Sequence, residues 1–239
     1  ADARGEVLPL EEDVVVSGAS WEAALAAAGC VSTAVERVMR GEVKNAFCAV
    51  RPPGHGAARE HGGAFGIFNG VAAATLQLLR SGGAESVWVV DCGARPGVGT
   101  VDILRDEPNS LLLLLHSASS EVRLPPASNL LSRSVAAEEG GKGVLAALTA
   151  LLDTAERERR PDFILLSLGC DALAEDPLGD LALRPDDYHE LTRELNVRAE
   201  RVCGGRLVSV LEEGYDAAAT AAAVVQHVRA LAGLPVLEQ

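Results

Sequence analysis

The chain has 239 residues, 48% hydrophobic and 3% aromatic, with a formal net charge of −13. The length suits one sizeable α/β domain or two small ones. The acidic balance disfavours non-specific nucleic-acid binding, and so few aromatics argue against a base-stacking platform. No apolar run is long enough to cross a bilayer; the longest, Leu111–Leu115, has the length of a strand. Five cysteines, odd in number and without close pairing, point to a reducing intracellular compartment and no disulfide framework. There is no signal-peptide pattern, and the sequence starts without Met, as expected of a fragment or a processed product.

In chain order, residues 1–19 read as acidic and irregular, with a short apolar patch at Val14–Val16. Ser20 is placed to cap a helix from Trp21 to about Arg40, with Trp21, Leu25, Ala28 and Val31 on one face. Asn45–Val50 reads as a short buried strand entering RPPGHG, a rigid turn that displays His55 at its tip. A loop over Gly62–Asn69 carries Phe65 and Phe68, and a helix follows from about Val71 to Arg80.

Val87–Val90 is a continuous apolar run, the mark of a parallel strand covered on both faces. It ends at Asp91 and opens into a loop with Gly93, Gly97 and Gly99, where such sheets place their chemistry. Val101–Arg105 suggests a short helix and Asn109–His116 another buried strand, while 117–140 gives no assignable element. Then come a helix over about Val144–Arg159, a strand at Phe163–Leu168 ending in Gly169-Cys170-Asp171, and a helix from Tyr188 to Cys203 or earlier. The strand Arg206–Leu211 opens into Glu-Glu-Gly-Tyr at 212–215, and an alanine-rich helix covers about 217–232. Strands alternating with helices imply a three-layer α/β/α sandwich with a mostly parallel sheet, read as one domain over 1–239.

Four strand ends thus present His55, Asp91, Asp171 and Tyr215, which could meet at one edge of the sheet or be ordinary strand-end polarity. A His with an Asp suggests an oriented imidazole, and a carboxylate with a tyrosine suggests metal-assisted hydrolysis. His116, His189 and His227 read as packing or surface residues.

These residues carry a resemblance. RPPGHGAAREHGGAFGIFNGVAAA, VVDCGARPGVGT, LLSLGCDALAEDPLGDLALRPDDYHELT and LVSVLEEGYD resemble successive blocks of the histone deacetylase family, closest to its class II and bacterial types. The resemblance implies an arginase/deacetylase-like fold, and a chain that lacks the family's first strand and amino-terminal loop. It also implies where the family's chemistry is broken. The family's Asp, His and Asp zinc ligands fall at Gly93, Arg95 and Asp171, so only Asp171 remains and no family-type zinc is expected. The histidine usually assigned as general base falls at Gly56, and its orienting partner at Val98. His55 with Asp91 resembles the other His–Asp pair, Phe65 the tunnel phenylalanine, and Tyr215 the tyrosine that polarises the substrate carbonyl. Glu213 replaces a glycine before that tyrosine and puts an unmatched carboxylate near the tunnel.

Family-type amide hydrolysis needs a metal to acidify water and a base to take its proton. The expectation is therefore a non-catalytic, deacetylase-like scaffold or regulatory subunit, whose shortened face is covered by a protein partner or a second copy. The alternatives are residual hydrolysis through His55, Asp91 and Tyr215, or a pocket that binds acyl-lysine or a small ligand without turnover. Arg95 is expected either to pair with Asp171 or to point to solvent. A rebuilt metal site from His55, His61, Cys92, Cys170 and Asp171 is the less favoured alternative to core packing for the cysteines and a solvated loop for His61.

Overall fold

The computed structural model describes residues 8–237; the opening stretch 1–7 and the last two residues lie outside the description. Six parallel strands form the sheet: β3 (Asn45–Cys48), β4 (Val87–Cys92), β5 (Ser110–Ser117), β6 (Leu130–Val135), β7 (Phe163–Leu168) and β8 (Leu207–Leu211). Their order across the sheet is β3-β8-β7-β4-β5-β6. β4 is therefore interior, and all six of its residues are buried, as the unbroken apolar run requires. Ahead of the sheet, β1 (Leu8–Glu11) and β2 (Val14–Val16) form an antiparallel hairpin. That corrects the irregular reading of this stretch: Val14 is buried while its neighbours in the hairpin are exposed or half-buried, too brief an alternation to stand out in the sequence.

Alternation of side chains divides the sheet into two apolar layers. Val87, Val89, Leu112, Leu114, Phe163, Leu165, Val208 and Val210 pack with residues of α1 (Ser20–Met39), α2 (Gly70–Arg80) and α3 (Val98–Leu104). Trp88, Val90, Leu113, Leu115, Ile164 and Leu166 pack with α4 (Gly140–Glu158), α5 (Pro185–Cys203) and α6 (Ala217–Leu231). Asp91 shares the parity of Val87 and Val89, so its carboxylate is aimed at the layer that holds the RPPGHG turn. Cys92 has the opposite parity and joins the α4–α6 layer with Cys170, as core packing predicts.

Helix boundaries depart from the sequence reading where glycine or an exposed face misled it. α4 begins at Gly140 rather than Val144, and α3 at Val98 rather than Val101. Ser20 is the first residue of α1 and not its cap; its hydroxyl accepts the Ser17 N–H at 2.9 Å. The buried residues of α1 are Ala24, Val31, Val35 and Val38, while Trp21 is 61% exposed and leans edge-on against Phe68 at 5.1 Å. The unassigned stretch 117–140 contains β6, an edge strand whose middle residues, Ser132, Arg133 and Ser134, are all polar and exposed and break any strand pattern.

One buried cation ties the α4–α5 layer together. Arg198, 5% exposed, meets Asp153 at 2.8 Å, Glu194 at 3.0 Å and Glu156 at 3.2 Å. Its partners remain partly solvated, so Arg198→Ala is expected to cost about 1–3 kcal/mol in urea unfolding. A loss below about 0.5 kcal/mol would mean the network is ornamental.

Candidate functional site

The carboxyl ends of β3, β4, β7 and β8 deliver His55, Asp91, Asp171 and the pair Glu212-Glu213 to one edge of the sheet, where the chemistry of such sheets is built. The turn that holds His55 is pinned from several sides. Thr100 N–H donates to the His55 carbonyl at 3.0 Å. Asn69, which caps α2, donates to the Ala57 carbonyl at 3.1 Å and to Thr100 Oγ1 at 2.9 Å. Glu212, fully buried, accepts Gly54 N–H at 2.8 Å and His55 N–H at 3.1 Å, and takes the Ser167 hydroxyl on its other oxygen at 3.0 Å. His55 is consequently 2% exposed: it is not displayed at the tip of the turn, as its flanking glycines suggest, but folded beneath it.

Its imidazole is held between two carboxylates. Nδ1 lies 2.9 Å from Asp91 Oδ2, and Nε2 lies 2.6 Å from Glu213 Oε2. The second contact has the distance of an ion pair but not the alignment of a hydrogen bond, so Glu213 Oε2 is left without a hydrogen-bond donor. Burial opposes charge on His55, yet Glu213 and Asp91 outweigh it and hold the imidazole well above its ordinary pKa. His55 is thus an imidazolium near neutrality. A group already protonated, with Nε2 covered by a carboxylate, cannot take a proton from water.

Asp171 is satisfied by backbone. Oδ1 accepts Ala94 N–H at 3.0 Å and Oδ2 accepts Arg95 N–H at 3.3 Å. The Arg95 side chain is exposed, so the expected Arg95–Asp171 pairing gives way to the solvent alternative. The backbone of the same loop already supplies the donors that a guanidinium would have offered. Burial and then Glu213 push the Asp171 carboxyl up to about 7, and burial pushes Glu212 up to about 7 despite the nearby His55. Four carboxyl groups therefore crowd one imidazolium, and two of them, Asp171 and Glu212, hold their protons up to about neutrality.

The donor set does not fit the family's zinc. Gly93 has no side chain, and a Cβ there would stand 2.9 Å from Asp171 Oδ1. Among the described residues no three His, Cys, Asp or Glu side chains are arranged to hold a metal ion. The rebuilt alternative fails on the same ground: Cys92 and Cys170 are buried in the core, where burial raises both thiols, Cys170 to about 12, and His61 is an exposed loop residue.

Gly56 is closed in a different way. A Cβ there would run into the Ala64 Cβ and stand 2.7 Å from the Gly63 carbonyl oxygen, so the loop 62–66 occupies the space a histidine would need. That loop closes on itself through Gly63 and Gly66 and turns through left-handed backbone at Ala64 (φ +45°) and Phe65 (φ +63°). It sets Phe65, 43% exposed, edge-on to the half-buried Tyr215 at 5.9 Å. Burial and then Glu213 push the Tyr215 phenol up to about 12. Asp176 fixes the tyrosine's loop by accepting Tyr215 N–H at 2.6 Å.

His55 and Asp91 thus meet directly, Phe65 and Tyr215 pair edge-on, and Asp171 lies within electrostatic reach of both His55 and Glu213. Glu212, Ser167 and Asp176 escape sequence reasoning, since a glutamate in a strand end and a serine in an apolar run look bland until folding makes them receive specific donors.

A profile of the histone deacetylase domain matches residues 2–231. The chain is 29% identical over 233 residues to a probable deacetylase of Archaeoglobus fulgidus, covering 89% of this chain and 61% of that one. It is 32% identical over 237 residues to histone deacetylase 6 of Caenorhabditis elegans, covering 93% of this chain but 24% of that protein. It spans less than two thirds of these curated relatives. The crystal structure of the HDA15 HD domain superposes with a TM-score of 0.81 at 27% identity, over 95% of this chain and 68% of that one. An acetylpolyamine aminohydrolase from Burkholderia pseudomallei shares the fold with a TM-score of 0.81 at 23% identity, over 94% of this chain and 66% of that one. With its parallel sheet, its His55–Asp91 pair and a domain match over nearly its whole length, the chain belongs to the histone deacetylase family.

Proposed function

We propose that this deacetylase-fold chain does not catalyse, and serves as a structural or regulatory subunit of a larger intracellular assembly. The observation that carries the reading is the Glu213 carboxylate on His55 Nε2 at 2.6 Å, in a site whose other ligand positions hold Gly93 and the outward-facing Arg95. An internal carboxylate has taken the place where a reacting group would work, and the imidazole it holds is no base. A surface for a partner supports the second half of the proposal. Leu10, Leu25, Ala28, Phe68 and Leu76 line an open apolar groove beside the exposed Trp21, and such patches mark interaction sites.

The test is zinc content by mass spectrometry after incubation with zinc and desalting, with turnover of an acetyl-lysine peptide assayed in the same sample. Well under one zinc per chain and no turnover above the blank are expected. One zinc per chain with measurable hydrolysis overturns the proposal.

A second reading rests on the Phe65–Tyr215 pair, two aromatic rings set edge-on, with Phe65 exposed. It predicts saturable binding of an acetyl-lysine peptide without hydrolysis, lost in Phe65→Ala. Calorimetry showing no heat above dilution would leave the pair with a packing role.

A further inference from the structure

All five cysteines are free; Cys30 is exposed on α1, and Cys48, at the end of β3, is buried. These two come from elements packed against each other, and the Cys48 Sγ reaches to 3.9 Å from the Cys30 carbonyl oxygen as its thiol donates there. Burial first, and then the adjacent Cys30 thiol, push Cys48 up to about 12. One member is therefore open to a small oxidant, and the other is buried directly behind it, the arrangement of a sensing thiol with a resolving partner.

We propose that Cys30 and Cys48 form a reversible disulfide when the protein meets a peroxide. The Cys30 thiol gives its proton to solvent and the sulfur attacks a peroxide oxygen; the O–O bond breaks, the departing hydroxide takes a proton from solvent and leaves as water, and Cys30 becomes a sulfenic acid. The Cys48 sulfur then attacks the Cys30 sulfur, forming the S–S bond and breaking S–O, and the departing hydroxide takes the Cys48 proton as a second water. Two thiols are oxidised and one peroxide is reduced. A dithiol such as dithiothreitol reverses the step by thiol–disulfide exchange.

The link would tie α1 to the strand that runs on into Arg51 and the His55 turn. Arg51 already anchors that segment by donating to the Glu212 carbonyl oxygen at 2.7 Å. Closing a loop of about 18 residues restricts the unfolded chain, so the oxidised protein melts about 5–10 °C above the reduced one.

The experiment treats the purified protein with hydrogen peroxide, blocks remaining thiols with iodoacetamide, and digests with trypsin without reduction. Cys30 and Cys48 fall in the peptides 5–37 and 45–59, each with a single cysteine. The expected result is one cross-linked species joining these peptides, abolished by dithiothreitol, by Cys30→Ser and by Cys48→Ala, and untouched in Cys203→Ala. The rise in melting temperature appears in the wild type and vanishes in Cys30→Ser, whose exposed site tolerates the change. Oxidation of Cys30 to sulfinic acid with Cys48 still free to alkylate overturns the proposal. So does an intermolecular Cys30–Cys30 dimer as the main product.

Discussion

His55→Ala is expected to lose about 3–5 kcal/mol of stability at pH 7, because it leaves Asp91 and Glu213 buried without their counter-cation. The loss has a pH signature that separates charge from packing. In the wild type the raised His55 pKa contributes stability that is full below about 6.5 and disappears as pH rises through the folded value. The variant has no such group, so the deficit of His55→Ala shrinks as pH rises above about 6.5, whereas the cavity left by a missing ring costs the same at every pH. Urea unfolding at about pH 6.5 and about pH 9 decides the matter. An equal deficit at both values would mean that His55 acts only as filler, and that the Glu213 contact is incidental.

The second large effect lies on the other side of the sheet edge. His227 is fully buried, with Nδ1 2.6 Å from Thr192 Oγ1, Nε2 2.7 Å from Ser209 Oγ, and its ring edge-on to Phe47 at 5.1 Å. Among the described residues no carboxylate faces it, and burial drives its pKa down to about 3. The unfolded chain binds this proton near pH 6.5 and the folded one does not. Its contribution is thus intact above 6.5 and falls by about 1.4 kcal/mol per unit as pH drops toward 3. Asp171 and Glu212 work in the opposite sense: with folded values near 7, they favour the folded state at low pH and lose that contribution as pH rises through 7. Comparing the wild type with His227→Gln cancels those shared terms. The wild type is expected to lose about 2–3 kcal/mol more than the variant between pH 6.5 and 4.5. Parallel stability curves would show that the imidazole is protonated without penalty, and that its two hydroxyl partners are not what keeps it neutral.

Both effects arise from single polar groups placed in an apolar interior, and only one of them was readable beforehand. His55 stood out because a Gly-His-Gly turn is an unusual place for an imidazole and because it matched a family block. His227 sits in an alanine-rich helix and looked like any half-buried residue. Its role depends on Thr192, 35 residues earlier in the chain, and on Ser209 in β8, neither of which has a local pattern that announces it. Arg198 was hidden in the same way among the charges of α5.

Strong one-dimensional signals were legible. The apolar runs at 87–90, 111–115 and 163–168 are buried strands, because a strand covered on both faces has no polar side to interrupt it. Weak ones were not. β6 and the β1–β2 hairpin are largely exposed, so their residues obey no burial pattern and only pairing defines them.

By itself the sequence determined the family, the interior strand that ends at Asp91, and the lack of any metal-binding side chain at Gly93 and Arg95, since a missing donor is a matter of residue identity and no folding restores it. The tertiary structure alone decided what occupies the emptied site. Glu213 reaches His55 from the end of a strand more than 150 residues away, Asp171 takes backbone N–H groups in place of a guanidinium, and the 62–66 loop fills the space beside Gly56. A buried charge must find partners within a few ångströms, and which ones are that near depends on the register of β3, β4, β7 and β8 at the sheet's edge.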